Sequence, residues 1–484
     1  MTSPTAARPL SHADIRIIVI GVGVAMFLGA LDQTIIAAAL PAIAAELGGF
    51  SAMSWVASIY LLTATAVTPL YGKFSDIKGR KAALTLGVTV FMAGSIACAL
   101  APSMLWLIAA RALQGLGGGG LISLAQTIVA DIVAPKERGR YQIYFASVFL
   151  LASLLGPALG GFFTQHLHWT LIFWINVPLG ILAFAISHSA LKRLPRHERP
   201  HDLDVLGAGL MVCATVTLML ALNDGGTAHA WASPQIIILL GASLLLWLLF
   251  IWRIRTAHEP LIPLSILAND VVSRATVAAS CGMGAYIGLS IYLPVYFQTV
   301  RGLSTADSGL GLIPLMVGTV IGATIAGQLM GRIHHYQRSP AIGLFIAMLG
   351  ALVLAIWADS LPLLPFEMVL AIISIGLGTV LPTTTVAIQN AVQLHQLGTA
   401  TGTMNFFRQL GSALTVAAFG ALLNASGISA ASIDAGSTLP PGSFTSIFAA
   451  TAIGFAVAFL FILWMKERPL RASARHAAEA VTAD

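Results

Sequence analysis

Two single charges set inside long apolar runs, Asp32 and Arg111, are the side chains best placed to do chemistry. An ionised carboxylate at the centre of a membrane helix costs about 2.5 to 3.5 kcal/mol on insertion scales. Such a group either takes up and releases a proton or a cation, or is satisfied near the helix mouth by water or a backbone carbonyl. Asp32 lies about 8 residues from the outer end of its run, and Arg111 about 7 from the outer end of another. At about 1.5 Å per residue both sit roughly 10 to 12 Å deep. At one depth, Arg111 would hold Asp32 ionised, or hold its partner once Asp32 is protonated. An arginine that snorkels outward is the plainer alternative. Gln114, Gly115 and Gly118 share the helix face of Arg111 by spacing, and glycines there admit a neighbouring helix closely.

A second constellation is Gly72-Lys-Phe-Ser-Asp76-Ile-Lys-Gly79-Arg80-Lys81. Gly72 and Gly79 are expected to permit a tight turn that brings Asp76, Arg80 and Lys81 together. A solvated basic loop would explain the cations but not the paired glycines around a carboxylate. In Gly156-Pro157-Ala-Leu-Gly160-Gly161, proline removes a helix hydrogen bond and the glycines relax the backbone, so a bend is expected.

The elements that must position these residues are membrane helices. Hydrophobic residues make up 57% of the chain, charged residues only 9%, and mean hydropathy is +0.88; soluble domains carry about 25% charged residues. Apolar runs of spanning length, roughly 20 residues, fall near 15–40, 51–71, 82–101, 104–130, 141–165 and 169–190. They continue near 203–223 and 235–254, then 272–299, 305–330, 340–358, 364–390, 398–424 and 443–465. The fourteen spans group as six, two and six. The fold class is an all-α polytopic membrane protein of two six-helix bundles plus two extra helices. Its segments are an N-tail (1–14), a first bundle (15–190), a linker (191–202), the extra pair (203–254), a second linker (255–271), a second bundle (272–465) and a C-tail (466–484).

With both termini inside, every Lys and Arg except Arg111, Arg301 and Arg408 falls in inner loops, tails or span ends. That asymmetry sets the orientation and accounts for the net charge of +6 as topology, without nucleic acid. Gly72, Gly115-Leu-Gly117 and Leu40-Pro41 recur as Gly327, Gly376-Leu-Gly378 and Leu293-Pro294 at nearly constant offset. The recurrence suggests a duplicated bundle with pseudo-two-fold symmetry and a substrate site at the midplane. Cys98, Cys213 and Cys281 show neither disulfide nor zinc spacing.

The 72–81 stretch resembles the signature loop of the major facilitator superfamily. Leu31-Asp-Gln-Thr-Ile-Ile-Ala-Ala-Ala-Leu-Pro41, Arg111-Ala-Leu-Gln-Gly115 and Gly156-Pro-Ala-Leu-Gly-Gly161 are similar to motifs of its fourteen-span drug:proton antiporter branch, as is Trp169 to Gly180. The resemblance implies Asp32 as the protonation site, Arg111 as its partner and the 156–161 stretch as a moving interface. It also implies a cytoplasmic latch of Gly72, Asp76, Gly79, Arg80 and Lys81. Asp131, at the inner end of the fourth span, is expected to join it, and the positive N-terminus of the thirteenth span to attract Asp76. Arg408 would join the latch or snorkel to the inner surface. The second copy of the loop departs from the pattern, with Gly331 where the first has Asp76.

The function expected is proton-coupled antiport of amphipathic drugs or toxic organic compounds across the cytoplasmic (inner) membrane. The substrate cavity would include Gln33, Gln114, Tyr286, Tyr292, Phe406 and Phe407, although these aromatics serve equally well as core. Some members of the family the chain resembles handle dications with an additional membrane acid; the tenth span here has none, so the resemblance implies monocationic, neutral or zwitterionic substrates. A transporter of one metabolite, such as an amino acid, organic acid or siderophore, is the alternative; an intramembrane enzyme or sensor on the same scaffold is a remote one. No Walker or GxSxG motif is present, so no enzyme activity is expected, and no metal or cofactor beyond the proton gradient as energy source. Partners are the bilayer, protons and a small molecule. The chain is expected to be a monomer, and a periplasmic adaptor is left open.

Overall fold

In a computed structural model, residues 12–49, 52–191, 203–226, 228–333, 335–425, 439–440 and 442–470 are described. The linker 192–202 and most of both tails lie outside them. Fourteen helices among the described residues are long and apolar enough to cross a membrane. They are α1 (Asp14–Leu47), α2 (Met53–Lys78), α3 (Arg80–Ala99), α4 (Met104–Ile132), α5 (Pro135–His166), α6 (Leu171–His188), α7 (Val205–Asp224), α8 (Pro234–Thr256), α9 (Asp270–Thr299), α10 (Asp307–Met330), α11 (Arg338–Trp357), α12 (Leu363–Ala391), α13 (Leu394–Ala425) and α14 (Thr445–Trp464).

The helices pack as two groups. In the first, α1 lies on α5 and α6, α4 on α2 and α3, and α3 on α6; in the second, α9 lies on α13 and α14, α12 on α10 and α11, and α11 on α14. Each pair in one group thus has its counterpart eight helices later. Separate apolar cores fill them, around Val22, Phe91 and Leu124 in the first and around Tyr296, Phe366 and Phe448 in the second. Lipid-facing surfaces stay apolar, as Leu244, Leu245 and Leu248 on α8 illustrate.

Between the groups, α2 crosses α13 and α5 crosses α10. Both crossings come closest near the end that carries the Lys- and Arg-rich connections, here the basic end, and both use glycine. A Cβ on Gly72 would collide with the Gly398 carbonyl, and one on Gly327 with the Gly139 carbonyl. The basic-end halves of α4 (Leu121–Ile132) and α12 (Val380–Ala391) also reach across, to α13 and α5 respectively. The opposite halves (Met104–Gly118 and Leu363–Gly378) pack within their own groups, as do α1 and α9. The molecule is therefore joined at the basic end, with a cleft between the groups toward the other.

The extra pair packs on itself and against α2 and α13. Asp204 and Arg253 tie α7 to α8 at 3.0 Å; Ser58 donates to Asn223 Oδ1 at 2.9 Å, and Asn424 to the Gly226 carbonyl at 3.1 Å. Trp247 of α8 lies 6.1 Å from the ring of Phe406. The α2–α13 seam is covered by this pair, whereas the α5–α10 seam has no such cover among the described residues.

Several elements differ from the sequence expectation. α2 continues well past residue 71, so Gly72 sits inside a helix and serves close approach rather than a turn. Gly79 alone makes the turn, at φ 89°. α4 breaks at Gly119-Gly120 and α12 at Thr379, where the hydrogen-bond ladder is interrupted. α5, by contrast, is the one long helix expected, with Pro157 inside it.

Candidate functional site

Asp32 and Arg111 are buried and joined at 2.6 Å between Asp32 Oδ2 and Arg111 Nη1. Burying an ion pair repays desolvation only when the remaining lone pairs and protons find partners. Here they do. Asp32 Oδ1 accepts from Gln114 Nε2 at 2.7 Å and from Asn176 Nδ2 at 3.0 Å. Arg111 donates further to the Val56 carbonyl at 3.0 Å and to Gln114 Oε1 at 2.6 Å. Its guanidinium carbon lies 4.3 Å from the centre of the Tyr60 ring, within cation–π range. Ser95 completes the cluster, accepting from Gln114 at 2.7 Å and from Asn176 at 3.3 Å. Five helices, α1, α2, α3, α4 and α6, thus hold one carboxylate.

The adjoining helix is fitted tightly. A Cβ on Gly156 would collide with Thr34 Oγ1, and one on Gly160 with the Ile35 carbonyl, while Thr34 Oγ1 donates across to the Ala152 carbonyl at 2.7 Å. α5 therefore touches α1 within three residues of Asp32. Gly161 meets nothing within 4 Å, and Pro157 is exposed, so neither takes part in that contact.

At the basic end, Arg80 pairs with both Asp76 and Asp131, the latter at 2.6 Å. Asp76 Oδ1 accepts from the Gly398 amide at 3.0 Å, and Oδ2 from the Thr399 amide and hydroxyl, each at 2.7 Å. These amides open the helix that starts at Leu397, where unpaired N–H groups and the helix dipole favour an anion. Asp76 thereby clasps the second helix group from the first.

The site residues expected from sequence do not all gather. Gln114 is a buried ligand of the ion pair rather than a cavity wall, because Ser95, Asp32 and Arg111 consume its amide. Phe406 is buried beneath Trp247 and faces the extra helices, not the cleft. Tyr292 donates to the Val416 carbonyl at 3.2 Å and packs on Phe419, a core role. Tyr286 and Phe407 are half-buried, and Gln33 is exposed. Lys81 lies 3.3 Å from His188 and does not enter the Asp76 cluster. Arg408 does not join it either. It is nine residues beyond Thr399 along one helix, about 13 Å, and donates to Asn405 Oδ1 at 3.2 Å.

Sequence reasoning missed Ser95, Tyr60 and the site role of Asn176. Neutral polar residues in a span carry no charge cost to betray them. It also missed a polar bridge between the groups, where Asn405 donates to Gln126 Oε1 at 2.8 Å, Thr65 to Gln409 Oε1 at 2.7 Å, and Gln389 to the Gln126 carbonyl at 3.4 Å. Among the described residues no three His, Cys, Asp or Glu side chains assemble as a metal site, and the three cysteines are free.

The Major Facilitator Superfamily family model matches residues 22–416. The chain is 33% identical over 409 residues to the multidrug transporter protein MdtP of Bacillus subtilis, covering 84% of this chain and 75% of that one. It is 34% identical over 411 residues to multidrug resistance protein 3 of the same organism, covering 84% and 80%. Among solved structures it is similar in fold to the human organic anion transporter MFSD10 (TM-score 0.66, 18% identity, 93% of this chain and 99% of that). The proton:xylose symporter XylE is likewise similar in fold (TM-score 0.65, 13% identity, 98% and 100%).

Proposed function

The chain belongs to the major facilitator superfamily, and from that premise we propose that it is a proton-coupled exporter of amphipathic organic compounds working by alternating access. It is a multi-pass membrane transporter, not an enzyme. The observation that carries the coupling is the sealed Asp32–Arg111 pair. A carboxylate whose every oxygen is bonded within one helix group can change charge without a partner from the other group. Protonating it dissolves the ion pair and leaves Arg111 to its neutral partners, Gln114 and the Val56 carbonyl. That rearrangement strikes the α1–α5 contact next door, and α5 is one of the two helices crossing to the second group. A proton thus acquires different affinities in the two states, the requirement for coupling.

The basic end is read as cytoplasmic from the distribution of Lys and Arg. Asp76 then closes the cytoplasmic side and the cleft faces outward. The two crossings pair corresponding helices, α2 with α13 and α10 with α5, which supports a duplicated-bundle architecture.

Transport of one metabolite is the second reading. The polar bridge of Gln126, Gln389, Asn405 and Arg408 favours it, since directional hydrogen-bonding groups serve a defined ligand better than a promiscuous one. Proton release on adding compound to purified protein in weak buffer tests the main reading. Release by the wild type and none by Asp32→Asn is expected; no release from the wild type across a broad panel of amphipathic drugs would sink antiport.

A further inference from the structure

Arg408 lies at the middle of α13, eleven residues past Leu397 and so roughly 16 Å from the basic end of its helix. It therefore lies too deep to be held at the inner surface, and its surroundings do not neutralise it. Other arginines held within the fold have strong acceptors: Arg111 and Arg80 have carboxylates, Arg138 the Ala130 and Val133 carbonyls, and Arg301 the Ala358 and Leu361 carbonyls. Arg408 has one side-chain bond, to the neutral Asn405 amide oxygen, and its buried Nε has no hydrogen-bond partner. No carboxylate lies within 4 Å of it among the described residues. A cation kept at that depth with donors to spare is a recognition group in want of an anion.

Helix geometry says where it points. Thr401, Asn405, Arg408 and Ser412 recur at i, i+4, i+7 and i+11, one face of α13. Asn405 on that face donates to Gln126 of α4 in the first group, so the face looks onto the seam between the two groups. Neighbouring faces are taken: Gly402 lies against α2, and Gly411 against Ser280 of α9. Arg408 stands one turn beyond the Asn405–Gln126 bridge, and its side chain is partly exposed. It stands on the side of that bridge away from the basic end, toward the cleft.

We propose that Arg408 is the subsite for an anionic group, foremost a carboxylate, on the transported molecule. The substrate class is accordingly amphipathic organic acids or carboxylate-bearing zwitterions. The guanidinium offers its free Nε and an adjacent Nη as a fork that matches a carboxylate in plane, while Asn405, held by Gln126, fixes the Nη1 edge. A purely cationic compound would meet repulsion there. The inference rests on the transporter reading but not on Asp32 as its coupling site.

A matched pair of probes tests it: dansyl-phenylalanine and its methyl ester, which differ in one carboxylate, titrated by fluorescence into full-length protein in lipid nanodiscs. The wild type is expected to bind the acid about tenfold more tightly than the ester. Arg408→Gln should erase that preference, and Arg408→Lys keep part of it. Because the readout is a ratio within each variant, a general loss of folding does not mimic the effect. A wild type with no preference for the acid, or an Arg408→Gln variant that keeps it, overturns the proposal. Proton release measured alongside separates the two claims, since an Arg408-dependent preference without release would leave this subsite standing while the antiport reading fell.

Discussion

Removing one oxygen's charge from Asp32 tests how much of the pair is chemistry and how much is scaffold. In Asp32→Asn the shape persists, yet Arg111 remains buried without a countercharge, and breaking a buried pair from one side costs about 3 to 5 kcal/mol. Proton-driven uptake into everted vesicles is expected to fall to background, with a lower unfolding temperature by light scattering. Wild-type uptake by the Asp32→Asn variant would remove Asp32 from coupling. Asp32 and Arg111 were legible in the sequence because a charge in an apolar run announces its cost and equal depth suggested the pairing. Asn176 and Ser95 were not, since a neutral amide or hydroxyl in a span costs too little to stand out. Phe406 was ambiguous for a related reason, because an aromatic ring reads alike as cavity wall or core until its neighbour, here Trp247, is known.

Among elements, α5 offers a contrast within one motif. Gly156 abuts Thr34 and Gly161 abuts nothing, although the sequence presents them as equivalent members of one glycine-rich helical stretch. Gly156→Ala should push α5 off α1 beside the ion pair and lower transport at least about tenfold at normal membrane insertion. Gly161→Ala should leave initial rates unchanged; equal effects from the two would mean that backbone flexibility, not close packing, is what the motif supplies. The latch divides the same way. Asp76 receives two helix N-terminal amides and a hydroxyl from Thr399, so Asp76→Asn keeps the shape but loses the charge that those donors and Arg80 stabilise. Slower transport with unchanged ligand affinity, and faster thiol labelling of a cysteine placed at Gln389, are expected; loss of affinity at normal expression would contradict a purely conformational role. Sequence anticipated this contact from the shared inner surface but put a turn at Gly72, because a glycine needed for helix crossing and one needed for positive φ look the same in one dimension.

At the scale of the molecule, six, two and six spans were readable because membrane helices declare themselves by length and apolarity, independent of partners. Where α7 and α8 dock was not, since helices that are apolar all round carry no stripe to say which side is buried. Their position along the α2–α13 seam makes the molecule asymmetric about its own repeat, with one seam covered and the other not. Alternating access therefore has to part the groups at the basic end while the Ser58–Asn223 contact between α2 and α7 rides with the first group. Bridging a Gln126→Cys/Asn405→Cys pair with a short bifunctional thiol reagent should stop transport, and cleaving a reducible linker should restore it, because those positions span the two groups. The same bridge across Ser58→Cys/Asn223→Cys should leave transport running, since it joins helices that move together. If instead both bridges arrest transport, the extra pair moves against the first group and is part of the gate; if neither does, the groups do not separate at the Gln126 bridge and the rocking mechanism fails.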